Sequence, residues 1–500
     1  WLGLSVGFFG TLVGFILAYL QVRVNFRGKK VLHILTLVPL VSPPFAFATA
    51  VIVLFGRSGI ISHDLLGKTP MLYGYPGLTL VLSISYFPVA YLNLVGMMRS
   101  LDPAIDEAAS SLGANKFKIF RSVTLPLLIP GITSSFLLLF VEAIADLANP
   151  LVIGGDYMVL SSRAYIAING EYDVSAGAAY SALLLLPALL VFIVQRYWSQ
   201  KKSVVSVTGK PSGQIAPITS KVGRTPLLVF GWLVASFIVL VYVTVIMGAF
   251  IKILGVNNSL TFDHYRYIFS GIANNALRST VIMAAIATPL AGLMGMVMAW
   301  LIIRKLKRGA DALDFFGMLG IAVPGTVLGI GYAVTFNEPV KIAGHTIVPQ
   351  LAGGGAILGG AIAIMMVYTI RSSPAGQRSG IAALQQIDPS LDEASASLGA
   401  SGGRTFRKVS LPLIKGAFLT GLMFAFARSM TTLSPVLFIA TPETPILTQK
   451  ILAESDSGRY GPAFALCTLL IAIVLVVMGI ITAAVRGRGS TEFKTTIVAG

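Results

Sequence analysis

Residues 101–127 read LDPAIDEAASSLGANKFKIFRSVTLPL, and residues 387–413 read IDPSLDEASASLGASGGRTFRKVSLPL. The two stretches align without a gap at a shift of 286 residues and agree at more than half of their positions. A match this close at so long a spacing marks an internal duplication: the chain is two homologous halves joined end to end. Asp102, Pro103, Asp106, Glu107, Ala108, Gly113, Phe120, Arg121, Leu125 and Pro126 return as Asp388, Pro389, Asp392, Glu393, Ala394, Gly399, Phe406, Arg407, Leu411 and Pro412. Each copy reads as a short helix, a turn and a second short helix. Asp102 and Asp388 suit an N-cap, with Pro103 and Pro389 at the first helical position. Asp106 and Glu107 suit the positive end of the helix dipole. Gly113 and Gly399 can adopt the positive φ that ends such a helix.

Working outward from the duplicated stretch, the rest of the chain is strongly apolar. It has 500 residues, of which 55% are hydrophobic and 11% charged, with a mean hydropathy of +0.83. Soluble domains carry about 25% charged residues. Runs of roughly 20 apolar residues cross a bilayer as helices. Eleven such spans are expected, at 1–22, 31–56, 77–98, 128–148 and 178–196, then at 226–252, 274–303, 312–336, 354–371, 415–437 and 462–485. The segments between them alternate in Lys and Arg content. Arg23, Arg27, Lys29 and Lys30, then Arg99, Lys116, Lys118 and Arg121, mark one side of the first half. Arg304, Lys305, Lys307 and Arg308, then Arg371, Arg378, Arg404, Arg407 and Lys408, mark the same side of the second. The positive-inside rule puts that side, both duplicated loops and the C-terminus in the cytoplasm. The net charge of +17 therefore reports orientation rather than nucleic-acid binding. The polar stretch 198–225, containing Thr208-Gly209-Lys210-Pro211-Ser212-Gly213, reads as a flexible linker.

Glu107-Ala108-Ala109, with Gly113 and Leu125-Pro126 following, resembles the EAA loop of the permease subunits of ATP-binding-cassette importers. Glu393-Ala394, Gly399 and Leu411-Pro412 carry the resemblance a second time, with Ser395 in place of the second Ala. The resemblance implies an all-α polytopic membrane protein of two tandem permease domains, related by a pseudo-twofold axis along the membrane normal. Their expected bounds are 1–197 and 226–487, with a cytoplasmic tail at 488–500. It also implies a coupling helix in each loop, seated on one of two ATPase subunits, with Glu107, Ala108, Ala109, Gly113, Glu393, Ala394 and Gly399 at the contact. A periplasmic or lipid-anchored substrate-binding protein would deliver the cargo, and the location would be the bacterial inner membrane. The segments 145–173 and 183–198 are similar to fused permeases of the ferric iron type. Fused permeases for thiamine, 2-aminoethylphosphonate or polyamines share the architecture.

No nucleotide-binding G-x4-G-K-[ST] string is present, so ATP hydrolysis is expected in a separate subunit. Cys467 stands alone, and His33, His63, His264 and His345 show no metal-ligand spacing. No cofactor, metal site or catalytic residue is expected. An ion-coupled secondary transporter is the competing class, but it has no use for duplicated EAA loops. Inside the spans, Glu142 and Asp146 lie one turn apart, and Arg428 occupies the position of Glu142 in the second half. Ionisable residues in spans are costly and usually functional, so these three are the pathway candidates. A shift of about 281 residues pairs Ala18-Tyr19 with Ala299-Trp300 and Pro43 with Pro324. That offset leaves the first half one span short, and a native precursor is expected to begin further upstream.

Overall fold

The computed structural model describes residues 1–69, 72–201, 221–306, 308–342 and 344–486. The tail 488–500 and most of the linker 198–225 lie outside these residues. The described chain is helical apart from two short hairpins, Ile251–Ile253 with Asn257–Leu260 and Val340–Ile342 with His345–Val348. Nine described helices are long and apolar enough to cross a membrane, or eleven if each of two bent pairs counts as one span.

Two compact units form. The first holds Trp1–Ile166 and Ala182–Val245, and the second holds Ala167–Ser181 and the chain from Ile246 onward. Most of the helix Lys221–Phe250, the first span after the linker, thus packs with the first unit. There Gly231 lies against Leu20 and Leu32, Phe237 meets the rings of Phe47 and Phe55, and Tyr242 hydrogen-bonds Ser42.

Each unit is built on the same three helices. In the first they are Leu2–Arg23, Tyr75–Ser100 and Leu125–Ala145. In the second they are Gly271–Trp300, Ala361–Gln385 and Lys415–Thr431. Association of membrane helices relies on close packing through small residues, because lipid is as apolar as leucine. Gly14 and Gly295 show the principle at matching positions. A Cβ on Gly14 would lie 2.8 Å from the Ala90 Cβ and 2.9 Å from the Tyr91 amide nitrogen. One on Gly295 would lie 2.6 Å from both the Gln377 nitrogen and the Ser373 oxygen. At both places one backbone rides directly on another.

The spans expected at 31–56 and 312–336 are each broken. In the second unit Ala310–Ala322 and Gly325–Phe336 meet at 97° across Val323-Pro324. In the first, Lys29–Val41 gives way to Pro44–Phe55 across Ser42-Pro43. Proline drives the preceding residue into extended backbone, and Ser42 (ψ 156) and Val323 (ψ 126) are extended. Other boundaries move as well: the span expected at 354–371 runs on to Gln385, which puts Arg371 and Arg378 inside the helix and not in a loop. The span expected at 128–148 ends at Ala145, and the one at 415–437 ends at Thr431.

Candidate functional site

The duplicated loops fold as their residues dictate. Helix Pro103–Ser111 begins at Asp102, whose carboxylate accepts the Ala104 amide at 3.0 Å. Helix Ser390–Ser397 begins beside Asp388, which accepts the Ser390 amide at 2.9 Å. Gly113 (φ +81) and Gly399 (φ +78) end them, and no atom lies within 4 Å of a Cβ built on either. Glycine is therefore needed at these two positions for its backbone and not for space. A second short helix follows, at Lys116–Ile119 and at Gly402–Thr405. Each then widens into a π-helical turn, Phe120–Thr124 and Phe406–Ser410, in which the Leu125 and Leu411 amides reach the carbonyls of Phe120 and Phe406. Pro126 and Pro412 come directly after and have no amide to offer the preceding turn.

Both loop helices turn an acidic and apolar face outward. Glu107 and Glu393 are exposed, as are Ile105 and Leu391. Leu112 is 90% exposed and Leu398 88%. A leucine is thus left exposed at the same place in both copies. Sequence reading passed over these leucines, although the strict Leu-Gly pair in both copies was visible.

The opposite faces are tied down, again twice in the same way. Arg23, the last residue of Leu2–Arg23, forms an ion pair with Asp106. Arg304, in the turn that extends Gly271–Trp300, pairs with Asp392 at 3.0 Å. The four side chains are between 9% and 25% exposed. Beside each pair an aromatic contact closes the joint: Tyr19 meets Phe120 with ring centroids 5.3 Å apart, and Trp300 meets Phe406 at 5.2 Å. Arg304 also donates to the carbonyls of Leu384 (3.0 Å) and Ile387 (2.6 Å), so it holds the end of Ala361–Gln385 as well. In the first unit a cavity of about 180 Å³ lies at this joint, lined among others by Tyr19, Arg23, Asp106, Glu107 and Phe120. Asp106 and Asp392 read in sequence as first-turn acids. Their main work is to join each loop helix to a spanning helix.

The three pathway candidates fall in different local settings. Glu142 sits half-buried within Leu125–Ala145, and Arg428 half-buried within Lys415–Thr431. Asp146 does not continue the helical face of Glu142, because the helix ends before it and Asp146 is extended (φ −67, ψ 130). Its buried carboxylate accepts from the Tyr86 hydroxyl, from the Asn149 amide at 2.9 Å and from the Asn149 side chain at 2.8 Å. It acts as the cap of the next helix, Ala148–Ile153. Thr432 is the counterpart break (φ −67, ψ 125). A hydroxyl bonds the carbonyl of each break residue, Ser161 to Asp146 and Thr448 to Thr432. Among the described residues no group of three His, Cys, Asp or Glu side chains could hold a metal ion.

Two tandem helical units, each presenting a braced loop with one exposed face, define a duplicated membrane permease. Residues 10–204 and 291–488 match the family described as binding-protein-dependent transport system inner membrane component. The chain belongs to that family, a multi-pass component of the inner membrane. It is 35% identical over 486 residues to the ferric transport system permease protein FbpB of Actinobacillus pleuropneumoniae, covering 95% of this chain and 68% of that protein. It is 34% identical over 453 residues to a putative ferric transport system permease protein FbpB 1 of Haemophilus influenzae, covering 88% and 69%. A bacterial transporter that imports alginate superposes with a TM-score of 0.43 at 16% identity, over 53% of this chain and 98% of that one.

Proposed function

We propose that this chain is the membrane-spanning subunit of an ATP-driven ferric iron importer, and that each duplicated loop seats one ATPase subunit in the cytoplasm. What carries the reading is the duplicated loop helix, exposed on one side through Glu107 and Leu112 or Glu393 and Leu398, and braced on the other by an ion pair. Nucleotide hydrolysis then belongs to the two ATPase partners. A substrate-binding protein delivers the iron on the opposite side of the membrane. The choice of iron is supported by the two ferric permeases at 34–35% identity.

Two measurements test this. Leu112→Asp with Leu398→Asp should insert normally in the membrane and lose the ATPase subunits on mild-detergent purification. A charge in each apolar contact costs several kcal/mol unless paired. Retention of both ATPases at wild-type stoichiometry would remove the loops as their seats. Deletion of the gene should abolish uptake of radiolabelled ferric iron from the binding protein. Normal iron uptake with loss of thiamine or aminophosphonate uptake would keep the permease and change its cargo.

Glu142 and Arg428 are proposed to act in the pathway, on the grounds of their matching positions and of their charge inside spans. Glu142→Gln and Arg428→Gln should each impair transport more than insertion. Wild-type transport in both variants would remove the two residues from the pathway.

A further inference from the structure

We propose that Arg23 and Arg304 are positioning residues that make each loop helix and its spanning helix move as one body, so that displacement of the loop by an ATPase becomes displacement of the membrane helix. The proposal rests on the reading of the loops as ATPase seats, and adds to it the part that transmits the force.

Pro103–Ser111 and Ser390–Ser397 span nine and eight residues, too short to be stable by themselves in water. Each ends in a glycine turn at positive φ that is closed by local backbone bonds, Ala114 to Ala109 and Ala400 to Ser395. A load applied at Leu112 or Leu398 would move that local unit alone unless the helix were fastened elsewhere. The fastening is the ion pair to the last turn of the first core helix, Arg23 to Asp106 and Arg304 to Asp392, backed by Tyr19 on Phe120 and Trp300 on Phe406. The fastened helices are the ones that pass the glycine crossings at Gly14 and Gly295, where backbone touches backbone. Such a crossing cannot flex without a clash, so motion at the loop passes into the three-helix core.

Retention of the pair is itself informative. The partly buried Arg–Asp pair appears in both units, while the rings beside it have changed from Tyr19 to Trp300 and the residues after it from Lys116-Phe117 to Gly402-Gly403. The Arg23 guanidinium donates to the Asp106 carboxylate, a bond that fixes direction as well as distance, while Arg304 meets Asp392 as a 3.0 Å charge contact and is oriented by the two carbonyls it donates to. The two fastenings are unequal. Arg304 also grips the carbonyls of Leu384 and Ile387, whereas the Arg23 joint adjoins a cavity. The second loop is thus tied to two core helices through one side chain.

The test uses the full complex with its ATPases and binding protein in proteoliposomes, reading iron transported per ATP hydrolysed. Arg23→Gln with Arg304→Gln, which removes both ion pairs, should leave the ATPases bound and lower transport per ATP by about tenfold or more. The Arg23→Asp, Asp106→Arg exchange, made with Arg304 intact, should recover most of the loss caused by Arg23→Asp alone. Arg23→Lys should recover less than the exchange, because an ammonium cannot hold direction. A second readout needs no partner. Hydrogen exchange of 104–111 and 390–397 in the purified chain should rise in the Gln variants, and the rise at 104–111 caused by Arg23→Asp should be reversed in the exchange variant. Faster exchange with unchanged transport per ATP would reduce the pairs to local braces and overturn the proposal. Failure of the charge exchange to restore either readout would overturn it too. If the ATPases also stay bound to Leu112→Asp with Leu398→Asp, the docking reading has failed, and the transmission role falls with it while the exchange data still report on the tie.

Discussion

The two units solve one folding problem with different residues, and the places where they agree differ in kind from the places where they do not. Between the broken helix and the second core helix, the first unit uses His33 Nδ1 with the Tyr91 hydroxyl at 2.6 Å. At matching positions the second uses Asp314 with the Gln377 amide, 2.8 Å. The contact is retained and the chemistry is free to drift, as expected where only the fold is served. At the loops the residues themselves are retained: Asp106 and Asp392, Glu107 and Glu393, Leu112 and Leu398, Gly113 and Gly399. Identity rather than equivalence is what a shared external partner would impose. The intramembrane charge behaves in a third way, with Glu142 facing the role of Arg428 by inversion of sign.

The largest expected effect breaks the part of the comparison that concerns the fold. Gly295→Leu should abolish accumulation of the folded chain, because even the Cβ would stand 2.6 Å from backbone atoms that cannot retreat. Overpacking of this kind costs about 3 kcal/mol or more. Gly14→Leu should fail similarly. Gly416→Ala is the control, since a Cβ there meets nothing within 4 Å and alanine favours a helix by roughly 1 kcal/mol over glycine. Fluorescence-detected gel filtration with a heating series ranks the three. A folded, wild-type-stable Gly295→Leu chain would mean that the crossing does not bear on stability.

Next in size is the turn. Gly113→Ala and Gly399→Ala keep open space but place an alanine at positive φ, at about 1–2 kcal/mol each. The chain should remain folded and the loop helix should exchange its amides about tenfold faster in each case. Equal effects in the two halves are expected, because the two φ values agree within a few degrees of +80. A much larger effect in one half would show that its loop depends on the turn and the other on its ion pair.

Much of this was legible in the sequence. The cap at Asp102 and the glycines at positive φ followed from local chemistry, since each depends on residues adjacent in the chain, whereas the second loop helix begins at Ser390, one residue later than its Asp-Pro suggested. The breaks at Pro43 and Pro324 were visible as a matched pair but not as bends. Hydropathy registers how apolar a segment is and not its direction, and Pro39, Pro88 and Pro374 sit inside helices that continue. The ties were hidden for another reason. Arg23 and Arg304 satisfied the positive-inside rule and so needed no further explanation, while their partners lie over 80 residues away. Asp146 misled because a one-turn spacing from Glu142 means a shared face only while the helix lasts, and it stops at Ala145.

The smallest expected effect sharpens the difference between the two caps. The amide and hydroxyl of Ser390 hold the exposed Asp388 carboxyl below the ordinary aspartate range. A carboxyl with a lowered value in the folded state stabilises that state above its unfolded pKa, and the contribution disappears as pH falls through the lowered value. Protection of the Ser390–Ser397 helix should therefore be constant at neutral pH and decline below about pH 4, where a free aspartate begins to protonate. The first loop offers an internal contrast, because Ala104 at the position of Ser390 has no hydroxyl to add to its amide. An Asp388→Asn chain separates the cap from other acid effects, since asparagine accepts the same hydrogen bond at any pH. Amide exchange, corrected for its intrinsic pH dependence, should then lose its acid limb at 390–397 in that variant alone. An acid limb that survives Asp388→Asn unchanged would place the titrating group elsewhere and remove Asp388 as the origin of the effect.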